Sequence, residues 1–230
     1  MVLTFYWHPL SPPAKVVWSV LEALAIPYEK KYIDLLGKKD QKSPEYLAIN
    51  PEGKVPYIVD GNFGLGESRA IICYLCSKYE KNDEEKKLYP TELNAQFKVN
   101  ESLFQDFQFF TNILEYFNIV GVLFRGETGP IPGRWPAIED IYIRLERRLT
   151  QQEYMVSDYI TVADYSAFAV VAGIEYLLAE LNFDKYPRLL EWKKKMEEIP
   201  AVAFCYGDSV AKFRKMFDGI VAANKEKNAN

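Results

Sequence analysis

The alternation of apolar and polar positions changes period partway along the chain. From the N-terminus, VLTFYW is a short β-rich run, and AKVVWSVLEALAI spaces its apolar residues three and four apart, predicting an amphipathic helix. YEKKYIDLL alternates and predicts a second strand. SPEYLAIN predicts a short helix with Ser43 as cap, Pro44 in its first position and Asn50-Pro51 as its stop. VPYIVD, a turn at Gly61-Asn62 and FGLG predict a hairpin. Glu67-Ser68 then open a helix that runs to Tyr79. The order β-α-β-α-β-β-α implies an α/β domain over residues 1–80 with a small mixed sheet.

Residues 81–90 fall in the charged, proline-closed stretch YEKNDEEKKLYPTE and read as a linker. Over residues 91–224 the period is helical almost throughout, which predicts an all-α second domain. NAQFKVNESLFQDFQFFTNILEYFN carries a long apolar face, GETGPIPGRWP interrupts the pattern, and IEDIYIRLERRL resumes it. TVADYSAFAVVAGIEYLLAEL begins with Thr-x-x-Asp, a capping box with Asp in place of Glu. PRLLEWKKKMEEI and an aromatic-rich stretch complete the domain, and residues 225–230 are expected to fray. No internal repeat is present.

Composition narrows the class. Apolar residues at 49% and aromatics at 15% of 230 residues suffice to fill two cores, which excludes global disorder. A net charge of −4 and a pI of about 5.3, with no long basic stripe, argue against nucleic-acid binding. Lys193-Lys194-Lys195 reads as a solvated helix face. Cys73, Cys76 and Cys205 make no disulfide framework and suit reduced thiols in a cytoplasmic protein. His8-Pro9 break the N-terminal apolar run, no basic segment precedes it, and no uncharged run reaches the roughly 18 residues of a membrane span. The expectation is a soluble cytoplasmic protein.

Little in the chain suits a metal, since His8 is its single histidine and no Cys/His cluster has ligand spacing. As the base of a hydrolase triad, His8 would have to fold straight back onto Ser11, so it reads as a loop or strand-end residue. Cys73 and Cys76 have C-x-x-C spacing, but in mid-helix, away from the N-terminus that lowers a thiol pKa. They are expected to pack as small apolar groups.

More telling is HPLSPPAKVV, between the first strand and the first helix. Proline fixes its own φ and disfavours helix in the residue before it. Ser11 is therefore expected outside the helix, Pro12 extended, and Pro13 in the first turn. A hydroxyl is thereby held on a rigid bend at the positive end of a helix. A thioredoxin-like domain would carry its redox motif here, and Ser11 and Ala14 occupy the places of the two thiols. Such a site forms no disulfide, but it can donate a hydrogen bond to a thiolate supplied by another molecule. A cis bond at Val55-Pro56 would free the Val55 N–H and C=O for a peptide-like ligand. Glu67-Ser68-Arg69 open a helix whose first N–H groups suit a carboxylate, and Glu67 can accept from an ammonium group. Together these residues could grip a zwitterionic amino-acid end. Ordinary helix capping accounts for them equally well.

SPPAK, NPEGKVPYIVD, ESRAIICYLCSKY and TVADYS, in this order and register over nearly the whole chain, resemble the cytosolic glutathione S-transferases of serine type. Ser-Pro-Pro after a short strand is most similar to the insect epsilon class, with the delta class next. The resemblance implies a thioredoxin-like domain that holds glutathione as co-substrate, a helical domain that forms the electrophile pocket, and a homodimer. It implies that Ser11 hydrogen-bonds the glutathione sulfur and that Val55 and Pro56 clamp the cysteinyl backbone. It further implies that Glu67 and Ser68, with Arg69 beside them, hold the γ-glutamyl end, and that Thr161 and Asp164 form a buried cap that serves folding. Delta and epsilon enzymes usually carry histidines where this chain has Gln41 and Gly53. Gln41 can still hydrogen-bond and Lys54 can take the glycyl carboxylate, whereas Gly53 offers no side chain. Leu10 replaces a glycine common in the delta class.

A free thiol, with a pKa near about 8.5, is mostly protonated at neutral pH, and only the thiolate attacks efficiently. Lowering that pKa by about two takes roughly 2.7 kcal/mol. One charge-assisted hydrogen bond of about 1.5–3 kcal/mol and a helix dipole can supply it. The second substrate is expected to be apolar, because the long helix offers Phe104, Phe107, Phe109, Phe110 and Phe117, most of which must pack as core or interface. Phe107, Thr111, Ile119 and Phe213 are the pocket candidates. The expected function is conjugation of glutathione to apolar electrophiles in detoxification. A carrier of hydrophobic ligands on the same fold, or a glutathione-dependent isomerase or peroxidase, are the alternatives.

Overall fold

A computed structural model describes residues 2–81, 87–131, 133–175, 183–207 and 209–229. The strands are β1 (Leu3–Trp7), β2 (Tyr28–Tyr32), β3 (Tyr57–Asp60) and β4 (Phe63–Leu65), in one mixed sheet of order β2-β1-β3-β4. β1 runs parallel to β2, with Leu3 opposite Tyr28, and antiparallel to β3, with Phe5 opposite Ile58. A parallel pair needs a crossover, and helix α1 (Pro12–Ala23) supplies it. The β3–β4 hairpin pairs Asp60 with Phe63 around Gly61, whose φ of 65° suits glycine in the tight turn. Helices α2 (Pro44–Ile49) and α3 (Ser68–Tyr79) complete the expected α/β order.

α1 begins one residue earlier than expected. Ser11 is an extended N-cap (φ −94°, ψ 106°), and Pro12 already occupies the first helical position. The bias against helix before a proline yields because two leading prolines lack only N–H groups that the first turn leaves unpaired anyway.

The rest is helical: α4 (Leu93–Tyr116), α5 (Ile119–Arg125), α6 (Trp135–Leu149), α7 (Val162–Glu175), α8 (Pro187–Glu197), α9 (Pro200–Tyr206) and α10 (Ser209–Ala229). The apolar pattern assigned no element to α5. It forms because Asn118 adopts a left-handed conformation (φ 53°), which asparagine tolerates, and the axis turns by 50° after α4. Among the described residues no single helix is long and apolar enough to cross a membrane, though the bent α4–α5 pair passes by length and composition together. α7 is buried at the centre, with α1 packed between it and the sheet. One apolar core therefore runs from Leu3 and Phe5 through Val17 and Leu21 to Val170.

The C-terminus differs from expectation, because α10 continues to Ala229 instead of fraying after residue 224. Asn224 Nδ2 donates to the carbonyls of Val122 (3.0 Å) and Glu127 (2.8 Å), and Asn228 Nδ2 donates to that of Gly126 (3.2 Å). Two amides one turn apart thus cap the open end of α5 and hold the last turns of α10 down. The linker expected over 81–90 and the end of the helix expected through residue 181 fall partly outside the described residues. Beyond that gap, the Leu88 carbonyl accepts from the Val162 N–H at 2.8 Å and ties the chain to the start of α7.

Candidate functional site

The Ser11 Oγ accepts from the Ala14 N–H at 3.3 Å. The hydroxyl therefore caps α1 and keeps its own proton to donate, so capping and anion handling coexist. Two cavities meet at Ser11. The larger, of about 860 Å³, lies between α1, the loop before β3, the start of α3, and α4. Gln41, Lys54, Val55, Pro56, Glu67, Ser68 and Arg69 all line it, as do the pocket candidates Phe107 and Thr111. The smaller, of about 250 Å³, is almost wholly apolar, and the other two candidates, Ile119 and Phe213, stand in its wall. Ser11, Pro13, Leu35, Phe110, Leu114 and Phe124 belong to both. The Thr111 hydroxyl turns back to donate to the Phe107 carbonyl at 3.0 Å.

The Val55-Pro56 peptide is cis. The loop before it is fastened to α2, where Tyr46 Oη and Asn50 Nδ2 donate to the Lys54 carbonyl at 2.6 and 2.8 Å. Among the described residues the Val55 N–H and C=O form no hydrogen bond, and both remain open to a ligand. Gly53 is left-handed (φ 58°), and a Cβ there would lie 2.6 Å from the Gln41 carbonyl oxygen and 3.1 Å from Leu47. The position that sequence comparison marks as a missing histidine is one whose backbone demands glycine. Gln41 is buried and spends its amide on the Leu35 carbonyl at 3.1 Å, leaving Oε1 without a hydrogen bond. That oxygen can accept an N–H but cannot hold a carboxylate. The cations at this end of the cavity are Lys39, Lys42 and the exposed Lys54, of which the sequence pointed only to Lys54.

At the start of α3, Glu67 has φ 60° and ψ 107°, a strained conformation for a residue with a side chain. Its carboxylate makes no capping bond. Ser68 is buried behind it, and Arg69 Nη1 donates to Ser68 Oγ while Nη2 donates to the Asp106 carbonyl, both at 3.3 Å. Asp106 went unnoticed in the sequence, although an acid on the apolar face of α4 is itself a signal. It is wholly buried, its carboxylate forms no hydrogen bond, and the nearest ion-pair partner, Arg148 Nη1, stands 3.8 Å away. Burial pushes its pKa up to about 7, with Arg148 and Arg69 opposing.

The remaining candidates fall as expected. His8 sits at the end of β1, with Nδ1 accepting from the Leu10 N–H at 3.1 Å. The cysteines are free, and burial pushes Cys73 up to about 11 and Cys205 up to about 12, far from thiolate chemistry. Asp164 caps α7: Oδ2 accepts from the Thr161 N–H and hydroxyl, and Oδ1 from the Met155 N–H and Trp192 Nε1.

Comparison with known proteins bears on this geometry. Residues 5–84 match the family model for the glutathione S-transferase N-terminal domain, and residues 135–204 match that for the C-terminal domain. Glutathione S-transferase 1 of Manduca sexta is 32% identical over 86% of this chain and 89% of its own. The structure of glutathione transferase E6 from Drosophila melanogaster is 35% identical with a TM-score of 0.86, covering 95% of this chain and 97% of its own. A glutathione transferase homolog from Drosophila mojavensis, solved with bound glutathione, is 29% identical with a TM-score of 0.80, covering 97% of each chain. With both domains matched and the fold shared, the chain belongs to the glutathione S-transferase family, enzymes whose co-substrate is glutathione.

Proposed function

We propose that this enzyme joins the glutathione thiolate to small apolar electrophiles, and that Ser11 stabilises the thiolate. The observation that carries the reading is the place of the Ser11 hydroxyl, proton free, where a groove ending in cations meets an apolar cavity. Glutathione lies along the groove. Val55 pairs with the cysteinyl backbone beside Pro56, and Glu67 and Ser68 hold the γ-glutamyl end with Arg69 behind them. Gln41 accepts an N–H near the glycyl end, and Lys54 takes its carboxylate. The sulfur then rests on the Ser11 hydroxyl at the positive end of α1, which favours the anion. Ser11 is neither nucleophile nor base, since the nucleophile arrives with the co-substrate. The apolar cavity receives the electrophile and excludes water, consistent with detoxification in the cytoplasm.

A homodimer is part of the proposal. Leu93, Phe97 and Phe104 are 64%, 61% and 78% exposed along α4, and Phe63 on β4 is 46% exposed. So large an apolar stripe suits burial against a second copy.

Substituting Ser11→Ala tests the mechanism. Turnover should fall on the order of 100-fold, as for loss of one preorganised donor to a developing charge. The thiol pKa of bound glutathione, followed by thiolate absorbance against pH, should rise towards the free value of about 8.5. Unchanged turnover removes Ser11 from the mechanism. The absence of the usual histidines keeps a carrier reading in view, and calorimetry separates the two: no heat with millimolar glutathione favours the carrier.

A further inference from the structure

The conjugation reading pairs Glu67 with the ammonium of glutathione and Lys54 with its glycyl carboxylate. It leaves two cations of the same cavity without a counter-charge. The wall carries four, Lys39, Lys42, Lys54 and Arg69, against one acid, Glu67. Arg69 is engaged by Ser68 Oγ and the Asp106 carbonyl, and Lys54 stands 4.0 Å from the Glu52 carboxylate. Lys39 and Lys42 are exposed, and among the described residues their side chains form no ion pair or hydrogen bond. The acids of their own loop are engaged elsewhere. Asp34 accepts from the N–H groups of Leu36, Gly37 and Lys38, and Asp40 Oδ2 accepts from the Asp34 N–H at 3.1 Å. The loop itself is held in place. Lys39 is left-handed (φ 58°) and opens a single 3-10 turn, Asp40–Lys42, which the Asp40 N–H ties to the Asp34 carbonyl at 2.8 Å. Lys42 Nζ lies 3.5 Å from the point where a Cβ on Gly53 would stand. The glycine therefore leaves room for an ammonium group that arrives from the neighbouring loop.

We propose that this groove takes, as co-substrates, γ-glutamyl-cysteinyl tripeptides whose third residue carries a second carboxylate, and that Lys42 and Lys39 pair with the added charge. This rests on the conjugation reading above, because it concerns the tail of the same co-substrate. In γ-glutamyl-cysteinyl-glutamate the terminal carboxylate stands where that of glycine does and meets Lys54. The side chain carries the second carboxylate past Gly53, towards Lys42 and Lys39. At about 860 Å³ the cavity lies near the upper end of the ~300–1,000 Å³ range of small-molecule sites, so the longer tail fits. The sulfur stays on Ser11 and the chemistry of conjugation is unchanged. Exposed ion pairs are weak, so the second carboxylate adjusts a preference and does not create binding.

The test sets γ-glutamyl-cysteinyl-glutamate against γ-glutamyl-cysteinyl-glutamine, which differ in charge at nearly equal size. Glutathione is the reference, and one chlorinated aromatic electrophile is held constant. KM for the glutamate peptide should be lower than that for the glutamine peptide by about fivefold at low salt, the size of one or two exposed ion pairs. The gap should close at about 0.5 M salt, where the Debye length falls to about 4 Å. Replacing both lysines, Lys39→Met with Lys42→Met, should remove it at low salt. Equal KM values for the two peptides in the wild type, with glutathione still conjugated, overturn the inference and leave the conjugation reading intact. A gap that survives either high salt or the double variant overturns the assignment to Lys39 and Lys42. Failure to conjugate any of the three thiols, glutathione included, overturns both readings.

Discussion

Two carboxylates lie in the helical domain, Asp106 on α4 and Asp164 on α7, both wholly buried. Asp164 accepts four hydrogen bonds of 2.9 to 3.1 Å, from Met155, Trp192 and the backbone and hydroxyl of Thr161. Asp106 accepts none. Arg148 stands 3.8 Å off, Arg69 bonds the backbone carbonyl rather than the carboxylate, and the Ser166 hydroxyl lies near without hydrogen-bonding geometry. Burial raises the pKa of both, Asp164 to about 6 and Asp106 to about 7. Donors to the charged form restrain the first more than distant cations restrain the second. Equal burial thus hides unequal roles. The satisfied carboxylate completes a cap, and the unsatisfied one sits behind Arg69, a wall residue of the larger cavity.

The largest effect is expected at the satisfied site. Asp164→Ala strands four donors in the core and unpins Met155 and Trp192 from the start of α7. Leaving several buried donors unmet costs on the order of 3–5 kcal/mol, a large part of the ~5–15 kcal/mol that holds a domain folded. The drop in the urea midpoint measures it. A loss below about 1 kcal/mol would place Asp164 with Asp106 and dissolve the contrast.

The contrast also explains what could be read in advance. Asp164 was legible because its partners are local: Thr161 stands at capping distance, and the spacing announces the bond. Ser11, Val55-Pro56 and Glu67 were legible for the same reason, since prolines and helix starts are written in short stretches of sequence. Asp106 was not, because Arg69, Arg148 and Ser166 reach it from other helices. Gly53 shows the limit from the other side. Sequence comparison sees an absent side chain, whereas the structure shows a left-handed backbone against the Gln41 carbonyl. The docking of α10 by Asn224 and Asn228 likewise depends on where carbonyls from a separate segment arrive, and Asn118 at the break donates to the Glu127 carboxylate beyond α5.

The smaller effect, and the sharper one, concerns the sign of pH dependence at Asp106. Its folded pKa lies above the unfolded value of about 3.9, so the folded chain binds that proton more tightly. The protonated group therefore contributes stability that is complete below about pH 4 and lost as the pH rises through about 7. Asp106→Asn keeps the shape and stays neutral throughout. The groups facing the position, Arg69, Arg148, Ser166 and Asp164, are the same in both proteins, so the difference between them isolates the one carboxyl. The variant's lead in unfolding free energy, read from urea titrations, should grow by about 2 kcal/mol between about pH 5.5 and about pH 8.5. A wild type that leads at the higher pH would mean that Arg148 compensates the buried charge in full. Asp106 would then be as well served by one guanidinium as Asp164 is by four hydrogen bonds.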